Sequence, residues 1–263
     1  MHILVTNDDG VYAPGLIALA QAMKKITEKV TLLAPDHNWS ASGHVKTLHR
    51  PLRVKEVVLE DGTRAWASDG APSDCVALAQ LGFIHEKIDL VVSGINPNAN
   101  IGHDVTYSGT VTAAMEAAIW GIPGVAVSID KPENLAGVVD YQPAAEAARR
   151  IVAWLKEQPE LPSDTVLNVN VPYGPLAAMK GFRLTRQGLR IYRDALVRRL
   201  DPRGKPYYWI GGDVPIGVEE PGTDYGALLA GYVSVTPLQL DLTRQQQKDW
   251  LEDRGFEKEL TVF

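Results

Sequence analysis

One cysteine, Cys75, is all that the 263 residues contain. A single thiol forms neither an intrachain disulfide nor a cysteine-based zinc site. With no basic neighbour beside it in sequence, Cys75 reads as a small buried residue on the helix after Pro72 rather than a reactive thiol. Positive charge is scarce too: Lys and Arg number 26 against 32 Asp and Glu, a formal net charge of -6. That balance argues against binding a nucleic acid polymer, which needs clustered bases. The one basic stretch, 183–203, reads as a solvated or subunit-contacting arm. A small phosphorylated substrate stays open, because a metal ion supplies positive charge locally. No apolar run approaches the ~20 residues that span a bilayer, so no membrane span is expected. The chain opens directly in a strand, without a basic segment, apolar stretch and cleavage site, and a cytoplasmic protein is expected.

Several familiar motifs are missing as well. No Gly-x-Gly-x-x-Gly follows the first strand, and neither Gly-x-x-x-x-Gly-Lys-Ser/Thr nor Gly-x-Ser-x-Gly occurs. A dinucleotide site, a P-loop and a nucleophile elbow are therefore unsupported. A phospho-acceptor receiver domain also starts with an acidic pair after its first strand. It needs an Asp at a central strand end and a Lys at a later one, whereas those strands here lead to Asn96 and to Ile129-Asp130.

What is present alternates. The apolar run Ile3–Thr6 precedes a loop punctuated by Gly10 and Pro14, and 15–26 carries Leu16, Leu19, Ala20 and Met23 at helical spacing. Strands follow at 30–33, 90–93, 125–128 and 166–171, with helices at 72–81, 110–120 and 143–156 between them. Ser68, Asp69 or Ser73 is the expected cap of the helix at 72–81. Asp61-Gly62 marks a hairpin between 53–59 and 64–67. Apolar strands separated by amphipathic helices define the class as α/β: a Rossmann-like, mostly parallel sheet with helices on both faces. Residues 1–182 read as that catalytic domain. Residues 183–263 read as an oligomerisation region, with an extended hairpin arm over 183–230, a returning strand at 232–236 and a terminal helix at 244–254.

Open sheets of this kind bind ligands beyond the carboxyl ends of their strands. Three polar loops fall there. In MHILVTNDDG, Asp8 and Asp9 repel each other at the end of the first strand, where Asn7 is suited to orient the turn. Such hard oxygen ligands suit Mg²⁺ or Mn²⁺; a cationic side chain or water alone are the plainer readings. The loop 36–42 offers Ser40 and Ser42, with His37 and His44 nearby. The loop after Ser93 crowds Asn96, Asn98 and Asn100, which supply acceptors for a metal and donors for phosphate; one or two of them are expected to take left-handed turn backbone. His103 lies in the same loop. Ser108, Gly109 and Thr110 then open a helix, presenting free N–H groups to an anion; a plain Ser or Thr cap is the alternative.

Together NDDG with its following APG, APDHNWSASGH, SGINPNANIGHDVTYSGTVTAAMEAA, LNVNVP and GTDYGALLAGYVSVTPL resemble the SurE family, stationary-phase survival proteins that act as metal-dependent 5′/3′-nucleotidases. The resemblance implies one divalent ion per subunit, Mg²⁺, Mn²⁺ or similar, held by Asp8, Asp9, Ser40 and Asn96. It implies a phosphate-contacting turn at Ser108, Gly109 and Thr110, aided by Asn96. Hydrolysis of nucleoside 5′- and 3′-monophosphates would then rest on Asp8, Asp9 and Asn96, with Asp9 or a metal-bound hydroxide the candidate proton acceptor and Asp8 a pure ligand. A homodimer or homotetramer built through the arm is also implied. A broader phosphatase or exopolyphosphatase and a non-catalytic nucleotide or metal sensor are the alternatives. Asn98 departs from the family's pattern, which has glycine there; asparagine tolerates positive φ, so the turn is expected to survive.

Overall fold

A computed structural model describes residues 1–158, 161–162 and 164–260. Its elements are β1 (Ile3–Thr6), α1 (Pro14–Lys24), β2 (Val30–Pro35), β3 (Val54–Val58), β4 (Arg64–Ser68), α2 (Pro72–Leu78), β5 (Leu90–Asn96), α3 (Gly109–Ile119), β6 (Gly124–Asp130), α4 (Gln142–Lys156), β7 (Val166–Pro172), β8 (Phe182–Leu184), β9 (Arg190–Leu200), β10 (Pro206–Gly217), α5 (Asp224–Leu229), β11 (Val233–Leu238), α6 (Gln245–Asp253) and α7 (Phe256–Leu260).

Nine strands form one sheet in the order β3-β4-β2-β1-β5-β6-β7-β11-β8. From β4 to β7 the neighbours run parallel; β3 and β11 are antiparallel to β4 and β7. Side chains of a strand alternate between its faces, and β1 shows what that does. Ile3 and Val5 join a core with α1 and α4, while Leu4 joins a second core with α2 and α3. Helices thus cover both faces, and each fully buried Leu or Ile contributes roughly 1.5–3 kcal/mol. The alanines of α3 let it lie close: a Cβ at Gly124 of β6 would sit 2.2 Å from the Ala114 carbonyl oxygen.

The chain leaves β1 for β2 on one side, and β5 enters on the other, with Thr6 paired to Ser93. The order therefore reverses between β1 and β5, and their carboxyl ends open a shared crevice.

Local differences from the sequence reading have local causes. The α2 cap is neither Ser68, Asp69 nor Ser73, since Ala71 precedes the helix and the Asp74 carboxylate accepts its N–H at 2.9 Å. That helix ends at Leu78 and widens into a looser turn, Ala79–Phe83, where Gly82 takes a φ of +109°. The arm is a two-stranded hairpin, β9 against β10, exposing Leu196, Trp209 and Ile210. Helix α5 stands at the end of the 183–230 stretch, which the sequence reads as an extended arm. Cys75 is buried in α2, and burial pushes its thiol pKa up. Among the described residues no helix is long and apolar enough to cross a membrane. The last residues of the 183–263 region, 261–263, lie outside the described residues.

Candidate functional site

Where β1 ends, the Asn7 side-chain amide donates to the Gly10 carbonyl at 3.0 Å and shapes the turn that presents Asp8 and Asp9. Gly10 has φ +102°, and a Cβ there would lie 3.3 Å from His37 backbone, so the acidic turn packs onto the loop after β2. That loop is tied back by the Trp39 N–H, which donates to the Asp8 carbonyl at 2.7 Å.

Asp8 is buried, 4% exposed. Its Oδ1 accepts the Thr110 hydroxyl at 2.5 Å. Burial pushes its carboxyl pKa up, and the bonds from Thr110 only partly oppose this. Asp9 is half-buried; burial and then the charge of Asp8 push it up to about 7. The Tyr141 phenol is pushed up to about 12, by burial and then by Asp9. Two carboxylates are therefore held where both are costly to ionise. Among the described residues neither forms an ion pair with Lys, Arg or His, so a cationic side chain does not answer their charge.

The other expected ligands stand on the two neighbouring loops. Asn38 links Asp9 to Ser40: its Nδ2 reaches Asp9 Oδ1 at 3.4 Å, and its Oδ1 accepts the Ser40 N–H at 2.7 Å. The Ser40 side chain is exposed. Asn96 closes β5, and its amide N–H donates to the Asn98 carbonyl at 2.5 Å, leaving its amide oxygen as an acceptor. Among the described residues no three His, Cys, Asp or Glu cluster as a metal site. Two carboxylates, a hydroxyl and an amide oxygen would make an all-oxygen donor set, whose chemistry fits a hard divalent cation.

The left-handed asparagine does not occur. Among the described non-glycine residues only Ala41 has positive φ, +57°, so Asn98 replaces glycine without using its conformation. Asn100 instead anchors the loop. Its N–H donates to Asn170 Oδ1 and its Nδ2 to Ser128 Oγ, both at 2.8 Å. Its carbonyl accepts from Asn168 and Asn170 at 2.7 and 3.1 Å. LNVNVP is thus a strand that places two amides on one face beneath the crevice.

At the start of α3 the three small residues have divided roles. Ser108 Oγ caps the helix by accepting the Val111 N–H at 3.1 Å. Thr110 turns to Asp8. Gly109 is where the helix meets the acidic turn, since a Cβ there would lie 2.8 Å from the Asp8 Cβ.

Sequence reasoning missed Asn38, Trp39, Tyr141 and Glu116. Glu116 of α3, 2% exposed, accepts from His44 at 2.8 Å, Trp120 Nε1 at 2.9 Å and Lys46 at 3.0 Å. Burial pushes its carboxyl up, but the His44, Trp120 and Lys46 bonds together outweigh it and hold it at about 2. It fastens the loop carrying Ser40 to α3. Of the other histidines, His37 pairs with Asp36 at 2.5 Å and His103 is exposed.

Fold and site together define an α/β protein with an acidic, oxygen-lined crevice at the switch point of a mostly parallel sheet. Residues 3–194 match the family model described as Survival protein SurE, and the chain belongs to the SurE family. Proteins named 5′-nucleotidase SurE are similar along nearly their whole length. That of Herpetosiphon aurantiacus is 52% identical over 255 residues, covering 96% of each chain. That of Chloroflexus aggregans is 50% identical over 253 residues, covering 96% of this chain and 97% of the relative. The crystal structure of SurE protein from Aquifex aeolicus superposes with a TM-score of 0.80 at 41% identity, covering 97% of this chain and all of that one.

Proposed function

We propose that this crevice hydrolyses nucleoside 5′- and 3′-monophosphates to nucleoside and phosphate. In this reading Asp8, Asp9, Ser40 and Asn96 hold one divalent cation per subunit. The observation that carries it is the Asp8–Asp9 pair, one buried and one half-buried beside the first turn of α3, with no basic partner among the described residues. The relatives named 5′-nucleotidase, similar over 96% of the chain, support the same reading. When bound, the ion supplies a Lewis acid for a phosphoryl oxygen and makes a water easier to deprotonate.

The protein's own groups do the rest. Thr110 and Gly109 fix Asp8, which acts as a ligand. Asp9 is less buried and, among the described residues, meets a long bond from Asn38; in this reading it is the carboxylate that accepts a proton from water. In this reading the start of α3, at Ser108, Gly109 and Thr110, offers its positive dipole end to the phosphate oxygens, aided by Asn96. Phosphomonoester hydrolysis asks on the order of 20 kcal/mol of such stabilisation. We place the enzyme in the cytoplasm, as a homodimer or homotetramer joined through the arm's exposed Leu196, Trp209 and Ile210.

Phosphate release from nucleoside monophosphates and short polyphosphate, with Mg²⁺ or Mn²⁺ and with chelator, tests this reading. Ion-dependent release from nucleotides is expected. Release from polyphosphate alone would favour a general phosphatase, and no release from any ester a sensor.

A further inference from the structure

Arg190 and Tyr192 belong to the first strand of the arm, yet their polar ends meet the turn that leads into α3. The Tyr192 hydroxyl donates to Asp104 Oδ1 at 2.5 Å, and Arg190 Nε pairs with Asp104 Oδ2 at 2.9 Å. The Arg190 and Asp104 side chains are only 17% and 21% exposed. Asp104 lies in the helical turn Gly102–Thr106 that leads into α3.

The base of the arm grips the same turn elsewhere. The buried Asp224 carboxylate accepts the N–H of Gly102 and of Gly188, each at 2.8 Å. Gln187 Nε2 donates to the Gly102 carbonyl at 2.9 Å. A Cβ at Gly102, whose φ is +53°, would lie 2.9 Å from the Gly188 carbonyl oxygen and 3.2 Å from Arg190 Cγ. From Asp104 the path continues without a gap. Its carbonyl accepts the N–H of Tyr107 at 3.0 Å and of Ser108 at 3.1 Å. Ser108 caps α3, and Thr110 holds Asp8.

We infer that Asp104, Arg190 and Tyr192 are positioning residues for the phosphate-contacting turn, so that the arm sets the geometry of the site. The inference rests on the reading of Ser108, Gly109 and Thr110 as that turn. None of the three needs to touch substrate. They act by fixing the carbonyl of Asp104, from which Ser108 hangs. An arm gripped by a second copy of the chain would then stiffen the site from outside it.

Tyr192→Phe is the sharpest test, because it deletes one hydroxyl and leaves the ring in place. Full-length wild type, Tyr192→Phe and Asp104→Asn are compared, with saturating Mg²⁺, in steady-state kinetics on AMP. Calorimetry then measures binding of inorganic phosphate, and solution mass is followed in parallel. The expected result is that KM and the phosphate Kd rise together, about three- to tenfold for Tyr192→Phe, the scale of one ordinary hydrogen bond, because the Tyr192 contact is solvent-exposed and acts on the turn only through Asp104. The kcat should change less than twofold, and the mass should not change. Unchanged phosphate Kd and KM would overturn the inference, as would a loss of affinity seen only when the assembly dissociates. If Asp104→Asn fails to fold, Tyr192→Phe decides alone. Absence of wild-type turnover on every nucleotide would sink the proposed function, yet phosphate calorimetry would still read the coupling.

Discussion

Thr110 and Asp8 are 102 residues apart in sequence, and their side chains meet at 2.5 Å. The hydroxyl is the main group that favours the ionised form of a carboxylate which burial disfavours. Replacing Thr110 with Val keeps the shape and removes the donor. A bond to a charged acceptor contributes about 1.5–3 kcal/mol, or roughly 10- to 100-fold in affinity. Thr110→Val should therefore weaken Mn²⁺ binding and kcat/KM by about that much, while Thr110→Ser stays near wild type. Calorimetry beside a phosphate-release assay checks both.

Gly109 offers a steric test of the same contact. An added methyl would come 2.8 Å from the Asp8 Cβ and 3.2 Å from its Oδ2, so either Asp8 or the start of α3 must move. Misplacement of about 1 Å at a reacting site costs on the order of 100-fold in rate. Gly109→Ala should show that loss in kcat/KM, with circular dichroism and solution mass unchanged.

Part of this candidate site is legible in residue types, while its full ligand set comes from the family resemblance. Two like charges ending the apolar strand Ile3–Thr6 announce something unusual, and Ser108 announces a helix start. Pairings were not legible, because they depend on packing. That Thr110 faces Asp8 follows only once α3 lies against β6 and the end of β1. Asp224 reads as an ordinary loop residue until its carboxylate is found on the Gly102 N–H, 122 positions away. Intrinsic preference points to Asn98 as the left-handed residue. The backbone puts it at Ala41, and no property of alanine signals that.

Glu116 should be visible in the acid limb of stability. Its folded carboxyl titrates at about 2 against an ordinary value of 4.5. Between these values the unfolded chain binds more protons, so the Glu116 contribution is complete above about pH 5 and is lost as pH falls toward 2. Urea denaturation of wild type and Glu116→Gln should differ by roughly 2 kcal/mol near neutrality. The gap should narrow below pH 4.5. A gap that stays constant to pH 3 would contradict this assignment.

Asn170 carries the loop that ends in the Gly102–Thr106 turn. Asn170→Leu removes the acceptor of the Asn100 N–H and one donor to its carbonyl, in a site where Asn100 and Asn170 are both buried. Unsatisfied buried groups cost about 1–3 kcal/mol each. A loss of roughly 3 kcal/mol in urea denaturation is expected, and a loss below 1 kcal/mol would mean the loop is held by other means.

In the proposed function Asp8 and Asp9 stand side by side to hold a divalent ion. Titration of Mn²⁺ into wild type, Asp8→Asn and Asp9→Asn, followed by calorimetry at pH 7.5, tests it most directly. The account predicts one site per subunit in the wild type and a loss of at least about 100-fold in affinity in either variant. Undiminished binding in both variants would place the ion elsewhere and contradict the account.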